Sequence, residues 1–158
     1  MSKRIAQIIS SPIGELLIAA EGDYLVELRL PKLFKKENYI LGNSSMLERT
    51  AKQLEEYFVG KRKDFDIPLK LYGTDFQKQT WEALISVPYG KTASYKDIAI
   101  QIGSPKACRA VGGANNKNPI AIIVPCHRIV GANSKLVGYA GGLDIKTMLL
   151  DLEKSNSQ

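Results

Sequence analysis

The chain has 158 residues, with 22 Lys and Arg against 16 Asp and Glu and a net charge of +6; 44% of the residues are apolar and 24% charged. This is the composition of a globular protein of one domain or two small ones, able to bury a core without disulfide or metal staples, and it excludes a disordered or fibrous chain. The longest uninterrupted apolar run, residues 120–125, falls far short of the roughly 18 residues that a membrane-spanning helix requires.

The start, Met1-Ser2-Lys3-Arg4, is basic but runs straight into Ile5-Ala6-Gln7-Ile8 with no long apolar core behind it, which predicts an intracellular, cytoplasmic protein. Residues 4–10 and 14–20 read as strands separated by Ser11-Pro12-Ile13, and Glu21-Gly22-Asp23 turns the chain into a third strand over residues 24–30. After a loop over residues 31–42, Ser45-Met46-Leu47-Glu48 has the pattern of a capping box, and Leu47, Ala51, Leu54 and Phe58 recur at helical spacing until Gly60. Residues 66–71 are expected to add an edge strand, and Gly73 marks a boundary between a first domain, residues 1–72, and a second, residues 73–158. Nothing in the first part suggests chemistry.

The second part is helical. Thr74-Asp75-Phe76-Gln77 is another capping box, followed by an apolar face of Phe76, Trp81, Leu84 and Ile85 that ends at Val87-Pro88-Tyr89-Gly90. Ser94 caps the next helix with Asp97 three residues on, and Gly103 stops it. Ser104 as N-cap and Pro105 in the first turn predict a third helix from residue 105 to about residue 115, so the pair forms a helix-turn-helix. The second helix of the pair carries Lys106 and Arg109 among small residues, including Gly112 and Gly113. Two interior glycines cost roughly 1 kcal/mol each relative to alanine, which implies either unusually close packing or an approach to a narrow groove of nucleic acid. Residues 89–135 also concentrate the charge: seven cations (Lys91, Lys96, Lys106, Arg109, Lys117, Arg128, Lys135) against Asp97 alone, while the rest of the chain balances. Charge alone fits a phosphate-binding surface and an ordinary solvated face equally.

Asn116-Lys117-Asn118-Pro119 reads as a turn and residues 120–124 as a short extended apolar segment leading to Pro125-Cys126-His127-Arg128, where a thiol adjoins the only histidine. Thiol chemistry needs the thiolate, a few per cent of a free Cys at neutral pH, and an imidazole or cation raises that fraction. Adjacent side chains on an extended backbone point to opposite faces, so a turn or a bridging water would be required to couple the two. A buried structural Cys beside a surface His is the alternative. Zinc is excluded by spacing, because Cys108 and Cys126 with one His offer no paired ligands.

Arg109-Ala110-Val111-Gly112-Gly113-Ala114, Asn118-Pro119, Pro125-Cys126-His127-Arg128-Ile129-Val130 and Gly138-Tyr139-Ala140-Gly141-Gly142 together resemble the signature of the O6-alkylguanine-DNA alkyltransferases, with the spacing kept across residues 74–153. The resemblance implies an α+β protein: a small antiparallel sheet with a helix, ribonuclease-H-like, then a mostly helical, winged-helix-like domain containing the helix-turn-helix. It implies a cofactor-free, metal-free, single-turnover transferase acting as a monomer on double-stranded DNA containing O6-alkylguanine, with O4-alkylthymine as a second substrate. It would bind from the minor groove, flip the damaged base and pass the alkyl group to Cys126.

By the same resemblance, His127 would deprotonate Cys126 through a water and Glu153 would orient the imidazole. Arg109 would fill the space left by the flipped base, Tyr95 would bond the guanine and stabilise the leaving purine, and Asn118 would hold the turn before the nucleophile. Ser94, Lys106, Ala107, Cys108, Gly112, Gly113 and Arg128 would complete the DNA contacts, and Tyr139, Ala140, Ile129 and Lys146 the substrate pocket. Ala140 departs from the Ser found in many members, which keeps a backbone N–H contact but loses a hydroxyl. Two other functions compete. A non-catalytic lesion-binding relative is disfavoured by the intact Cys126, in whose place such proteins often carry Trp. A helix-turn-helix regulator is disfavoured because residues 106–114 offer few side chains long enough to read base edges.

Overall fold

A computed structural model of the chain describes residues 4–157; residues 1–3, the start of the basic amino-terminal stretch, and Gln158 lie outside the described residues. The chain forms two compact units, residues 1–71 and 72–158.

In the first unit, Arg4–Ile9 (β1), Leu16–Glu21 (β2) and Tyr24–Arg29 (β3) make an antiparallel meander in that order, with Ile5 opposite Ala20 and Ile18 opposite Leu28. The central strand, Leu-Leu-Ile-Ala-Ala, is buried on both faces, which is why it lacks the alternation of a half-exposed strand. Leu17 and Ala19 join Ala6 and Val26 under Ile8, Phe34 and Tyr39, and helix α1, Ser45–Phe58, packs on the sheet through residues that include the buried Met46, Leu47, Leu54 and Tyr57.

Two expectations are corrected in this unit. Ser44, not Ser45, caps α1: its hydroxyl accepts from Leu47 N at 3.2 Å, while Glu48 accepts from Asn43 Nδ2. The edge strand expected over residues 66–71 shrinks to one parallel bridge, Leu25 to Leu69, held by Leu25 N to Pro68 O and Lys70 N to Leu25 O. Pro68 has no N–H to extend a ladder.

Among its described residues the second unit holds four α-helices: Asp75–Ile85 (α2), Tyr95–Gln101 (α3), Cys108–Asn116 (α4) and Leu143–Ser155 (α5), with a two-strand parallel pair, Ala93–Ser94 (β4) and Ile129–Val130 (β5). Thr74 and Gln77 form a reciprocal capping box on α2, and Ser94 and Asp97 another on α3. Helix α4 starts later than expected. Ala107 N closes a turn onto Ser104 O at 2.9 Å, so Pro105 takes the second position of a turn, where its fixed φ fits equally well, and the helix begins at Cys108.

Trp81 is the keystone of this unit. Its ring is buried and its Nε1 donates to Ala114 O at 2.9 Å, a carbonyl that also accepts from Lys117 N, so the indole ties α2 to the last turn of α4. Gly73 lies against it: a Cβ there would sit 2.6 Å from Trp81 Cη2 and 2.8 Å from Gln77 Oε1. Gly73→Ala is therefore expected to lower stability by about 1–3 kcal/mol, the usual range for overpacking, as measured by urea denaturation.

Candidate active site

The parallel β4–β5 pair sets Ser94 beside Val130, bringing the start of α3 alongside the segment that follows Pro125. That segment is not approached through an extended strand. Ile122 has φ 71°, Ile123 N bonds Ala121 O, Val124 N bonds Ile120 O and Cys126 N bonds Val124 O, so residues 120–125 are a chain of tight turns. Asn118 clamps them: its Nδ2 donates to Val124 O at 2.7 Å and its Oδ1 accepts from Ile120 N at 3.0 Å. Cys126–Arg128 is then a single 3-10 turn with all three side chains buried, so the pointing rule for extended chain does not apply to Cys126 and His127.

The three side chains go to different partners. Cys126 Sγ lies 3.4 Å from Tyr139 Oη. His127, fully buried, meets Glu153 of α5 through Nε2 at 2.7 Å from Oε2. Arg128 grips the same carboxylate twice, Nε to Oε1 at 2.8 Å and Nη2 to Oε2 at 3.0 Å, donates Nη1 to Val87 O at 2.7 Å, and stacks over the Tyr89 ring at 5.7 Å. Gly90 N adds a longer bond to Glu153 Oε1 at 3.4 Å. Burial alone would raise the Glu153 carboxyl, but the hydrogen bonds from His127 and Arg128, with the Arg128 charge, outweigh it and hold the group at about 2. An ionised carboxylate only accepts, so His127 Nε2 carries the proton and Nδ1 offers a lone pair. That Nδ1 is buried with no partner among the described residues. Burial pushes the imidazole pKa down, so the ring is neutral at pH 7 and available as a base.

The thiol is not pre-ionised. Burial pushes the Cys126 pKa up, against opposing contributions from the Tyr139 and Asn118 hydrogen bonds and the Lys146 charge. A proton acceptor is consequently needed at the moment of reaction. Lys146 of α5 is itself buried: Nζ donates to Ile129 O and, at 3.4 Å, to Val137 O, and it lies 5.6 Å over the Tyr139 ring. Burial lowers its pKa while the nearby Cys126 raises it.

Cys126, His127, Glu153, Asn118, Tyr139 and Lys146 thus converge on one buried cluster, and Tyr95, half-buried at the start of α3, is near enough to Cys126 for the thiol's charge to be felt after the larger effect of burial on its phenol. Ile129 is buried in β5 and Ala140 exposed beyond Tyr139. On the outer side, Lys106, Arg109 and Gly113 are exposed, and Ala107, Cys108 and Gly112 half-buried; the Ser94 hydroxyl is engaged as a cap. The interior glycines of α4 avoid no severe clash: a Cβ on Gly112 would touch Tyr95 at 3.6 Å, and one on Gly113 would meet nothing within 4 Å.

Arg128 requires correction. Expected among the DNA contacts, it is buried with its guanidinium committed to Glu153 and Val87, and presents no charge to a ligand. The other six cations of residues 89–135 are exposed. One residue of the cluster was not expected: Asn115, buried at the end of α4, donates Nδ2 to Cys126 O at 3.3 Å. In sequence it reads as the last polar residue of the expected helix, and nothing local marks it.

Residues 5–71 match the family profile described as the 6-O-methylguanine DNA methyltransferase ribonuclease-like domain, and residues 75–155 the 6-O-methylguanine DNA methyltransferase DNA binding domain. A methylated-DNA–protein-cysteine methyltransferase of Methanosarcina barkeri is 51% identical over 152 residues, 94% of this chain and 96% of the relative. One from Mycobacterium tuberculosis is 49% identical over 151 residues, 94% and 92% of the two chains. The crystal structure of Mycobacterium tuberculosis OGT in complex with DNA superposes with a TM-score of 0.91 at 48% identity, covering 96% of this chain and 94% of that one. An O6-methylguanine DNA methyltransferase from Methanococcus jannaschii gives 0.67 at 33% identity, covering 94% and 93%. Similarity that runs through both units at this level leaves one assignment: the chain belongs to the O6-methylguanine-DNA methyltransferase family, the methylated-DNA–protein-cysteine methyltransferases.

Proposed function

We propose that this protein repairs alkylated duplex DNA by moving the alkyl group of O6-alkylguanine, and of O4-alkylthymine, irreversibly onto Cys126 in a single turnover. The observation that carries the reading is the buried thiol beside a neutral histidine whose far nitrogen is fixed by an ionised carboxylate 2.7 Å away. The proton on Cys126 passes by way of a water to His127 Nδ1, and Glu153 stabilises the imidazolium that results. The sulfur then attacks the alkyl carbon. An S–C bond forms, the C–O6 bond breaks, and its electron pair stays with the purine, where the Tyr95 hydroxyl supplies a hydrogen bond to the departing anion. Asn118 fixes the turns that aim the thiol, and the Lys146 ammonium favours the thiolate. Tyr139 and Ala140 line the pocket.

Chemistry on a base inside a duplex requires extrusion, at a cost of a few kcal/mol. The exposed cations Lys106 and Arg109 and the small, close-approaching surface of Ala107, Cys108, Gly112 and Gly113 form the DNA face, with Arg109 occupying the space the base leaves. A lesion-binding protein without transfer activity would have no use for the Cys126–His127–Glu153 arrangement.

Mass spectrometry decides between the two. After incubation with a duplex bearing O6-methylguanine, one methyl group is expected on the peptide containing Cys126, and none in Cys126→Ala. Tight binding to the lesion with an unmodified peptide would favour the non-catalytic reading.

A further inference from the structure

Two buried polar atoms around the nucleophile have no partner among the described residues: His127 Nδ1 and Asn115 Oδ1. A buried acceptor left unsatisfied is destabilising, and native interiors pair such groups with protein or with ordered water. The orientation of Asn115 is not ambiguous. Its amide lies 3.3 Å from the carbonyl oxygen of Cys126, which can only accept, so the nitrogen faces that carbonyl and the oxygen faces away. Both orphan atoms are therefore acceptors. Both belong to side chains tied to the same turn, one extending from it and one bonded to the nucleophile's own carbonyl. A water has two protons to give, and in such a site it would use both, leaving its lone pairs to accept from the Cys126 thiol.

We propose that Asn115 is a positioning residue of the transfer reaction: its carboxamide oxygen and His127 Nδ1 together hold the water that carries the Cys126 proton. This rests on the function proposed above and completes its proton path. The S–H bond breaks as the water accepts its proton. The water's O–H toward His127 breaks as the N–H forms, and its other O–H stays bonded to Asn115 throughout. With one proton anchored on the amide, the remaining one can only lead to the imidazole, so the water is oriented before the reaction rather than during it. Asn118 serves a different task, since its amide clamps Val124 and Ile120.

The groups that face the thiol and its base are Tyr139 from the loop after β5, Tyr95 from α3, Lys146 and Glu153 from α5, and Arg128 from the same turn. Changing Asn115 leaves these groups but also removes its bond to the Cys126 carbonyl, a loss that would slow transfer equally at every pH, so the shape of the pH profile isolates the water. Methyl transfer from an O6-methylguanine duplex to the full-length protein is followed from about pH 6 to about pH 10, a range that spans the ordinary ionisation of a thiol and extends above it, the direction in which burial moves Cys126, in the parent, Asn115→Ala and Asn115→Leu. Both variants are expected to react about tenfold more slowly at neutral pH, with the rise of the profile displaced upward by about one pH unit. They should converge on the parent at alkaline pH, where the thiol ionises without a relay. A constant slowing at every pH, as a merely structural disturbance would produce, or an unaltered profile overturns the role of Asn115. Should the leucine variant not fold, the alanine variant decides alone. A parent protein that takes up no methyl group would instead overturn the proposed function, so the two failures are distinguishable.

Discussion

Replacing Arg128 with methionine is expected to cost about 3–5 kcal/mol of folding stability at neutral pH, because it strands a buried carboxylate without its cation. In the intact protein the Glu153 carboxyl is held at about 2 against an ordinary value of 4.5. A carboxyl with a depressed native pKa stabilises the fold above its unfolded value, and that contribution drains away as pH falls through the native one. The stability gap between parent and Arg128→Met should therefore be widest above about pH 4.5 and close toward pH 2. His127 adds to the acid sensitivity of the parent: burial lowers its pKa, so below the ordinary imidazole range the unfolded chain binds a proton that the folded one resists.

Replacing both partners, Arg128→Met with Glu153→Leu, should recover most of the lost stability while transfer stays abolished, since an apolar pair of similar volume often matches a buried ion pair. Urea denaturation across pH, read beside methyl transfer, checks all of these expectations. The salt dependence of DNA affinity should not change in Arg128→Met, because each phosphate contact contributes to that slope and a buried guanidinium makes none. A flattened slope would return Arg128 to the DNA surface and contradict its burial.

Replacing Arg109 with alanine is expected to slow repair in duplex DNA by roughly a hundredfold, the rate equivalent of a few kcal/mol of extrusion energy left uncompensated. Reaction with a free O6-alkylguanine base should hardly change. The side chain is exposed on α4 and forms no ion pair among the described residues, so its removal does not disturb the fold. Single-turnover kinetics on the two substrates separate the effects. Equal slowing on both would mean that Arg109 acts on the chemistry and not on the helix.

How far the sequence could be read depended on whether the deciding interaction was local. The capping boxes at Thr74 and Ser94 are closed by residues three positions apart, and both are visible in sequence and formed in the structure. Ser44 and Ser45 are equally good caps by type, and only backbone geometry selects Ser44. Pro105 suits the first turn of a helix and the corner of a turn alike, and the bond from Ala107 to Ser104 settles it. Residues 120–124 are too short an apolar run for periodicity to choose a conformation; the clamp of Asn118 bends them into turns. Arg128 was misplaced because a cation in a basic segment resembles a surface cation, while its true partner, Glu153, lies 25 positions away. Asn115 was invisible for the same kind of reason, since its partner is the backbone of Cys126 and not a side chain of recognisable chemistry.

The surroundings of the sulfur are unequal on their two sides. Behind Cys126, the clamped turns, the Arg128–Glu153 pair and α5 form a densely bonded floor. On the other side stands Tyr139 Oη, 3.4 Å from the sulfur, carried on a stretch between β5 and α5 that is largely exposed, takes left-handed backbone at Asn133 and Ser134, and is held by Lys146 at Val137. The enzyme thus divides its labour between a machine and an aperture. On the function proposed above, reactivity would be written into the floor and the size of adduct admitted into residues 132–140, so that substrate range could drift over evolution, or be widened by design, without retuning the thiol.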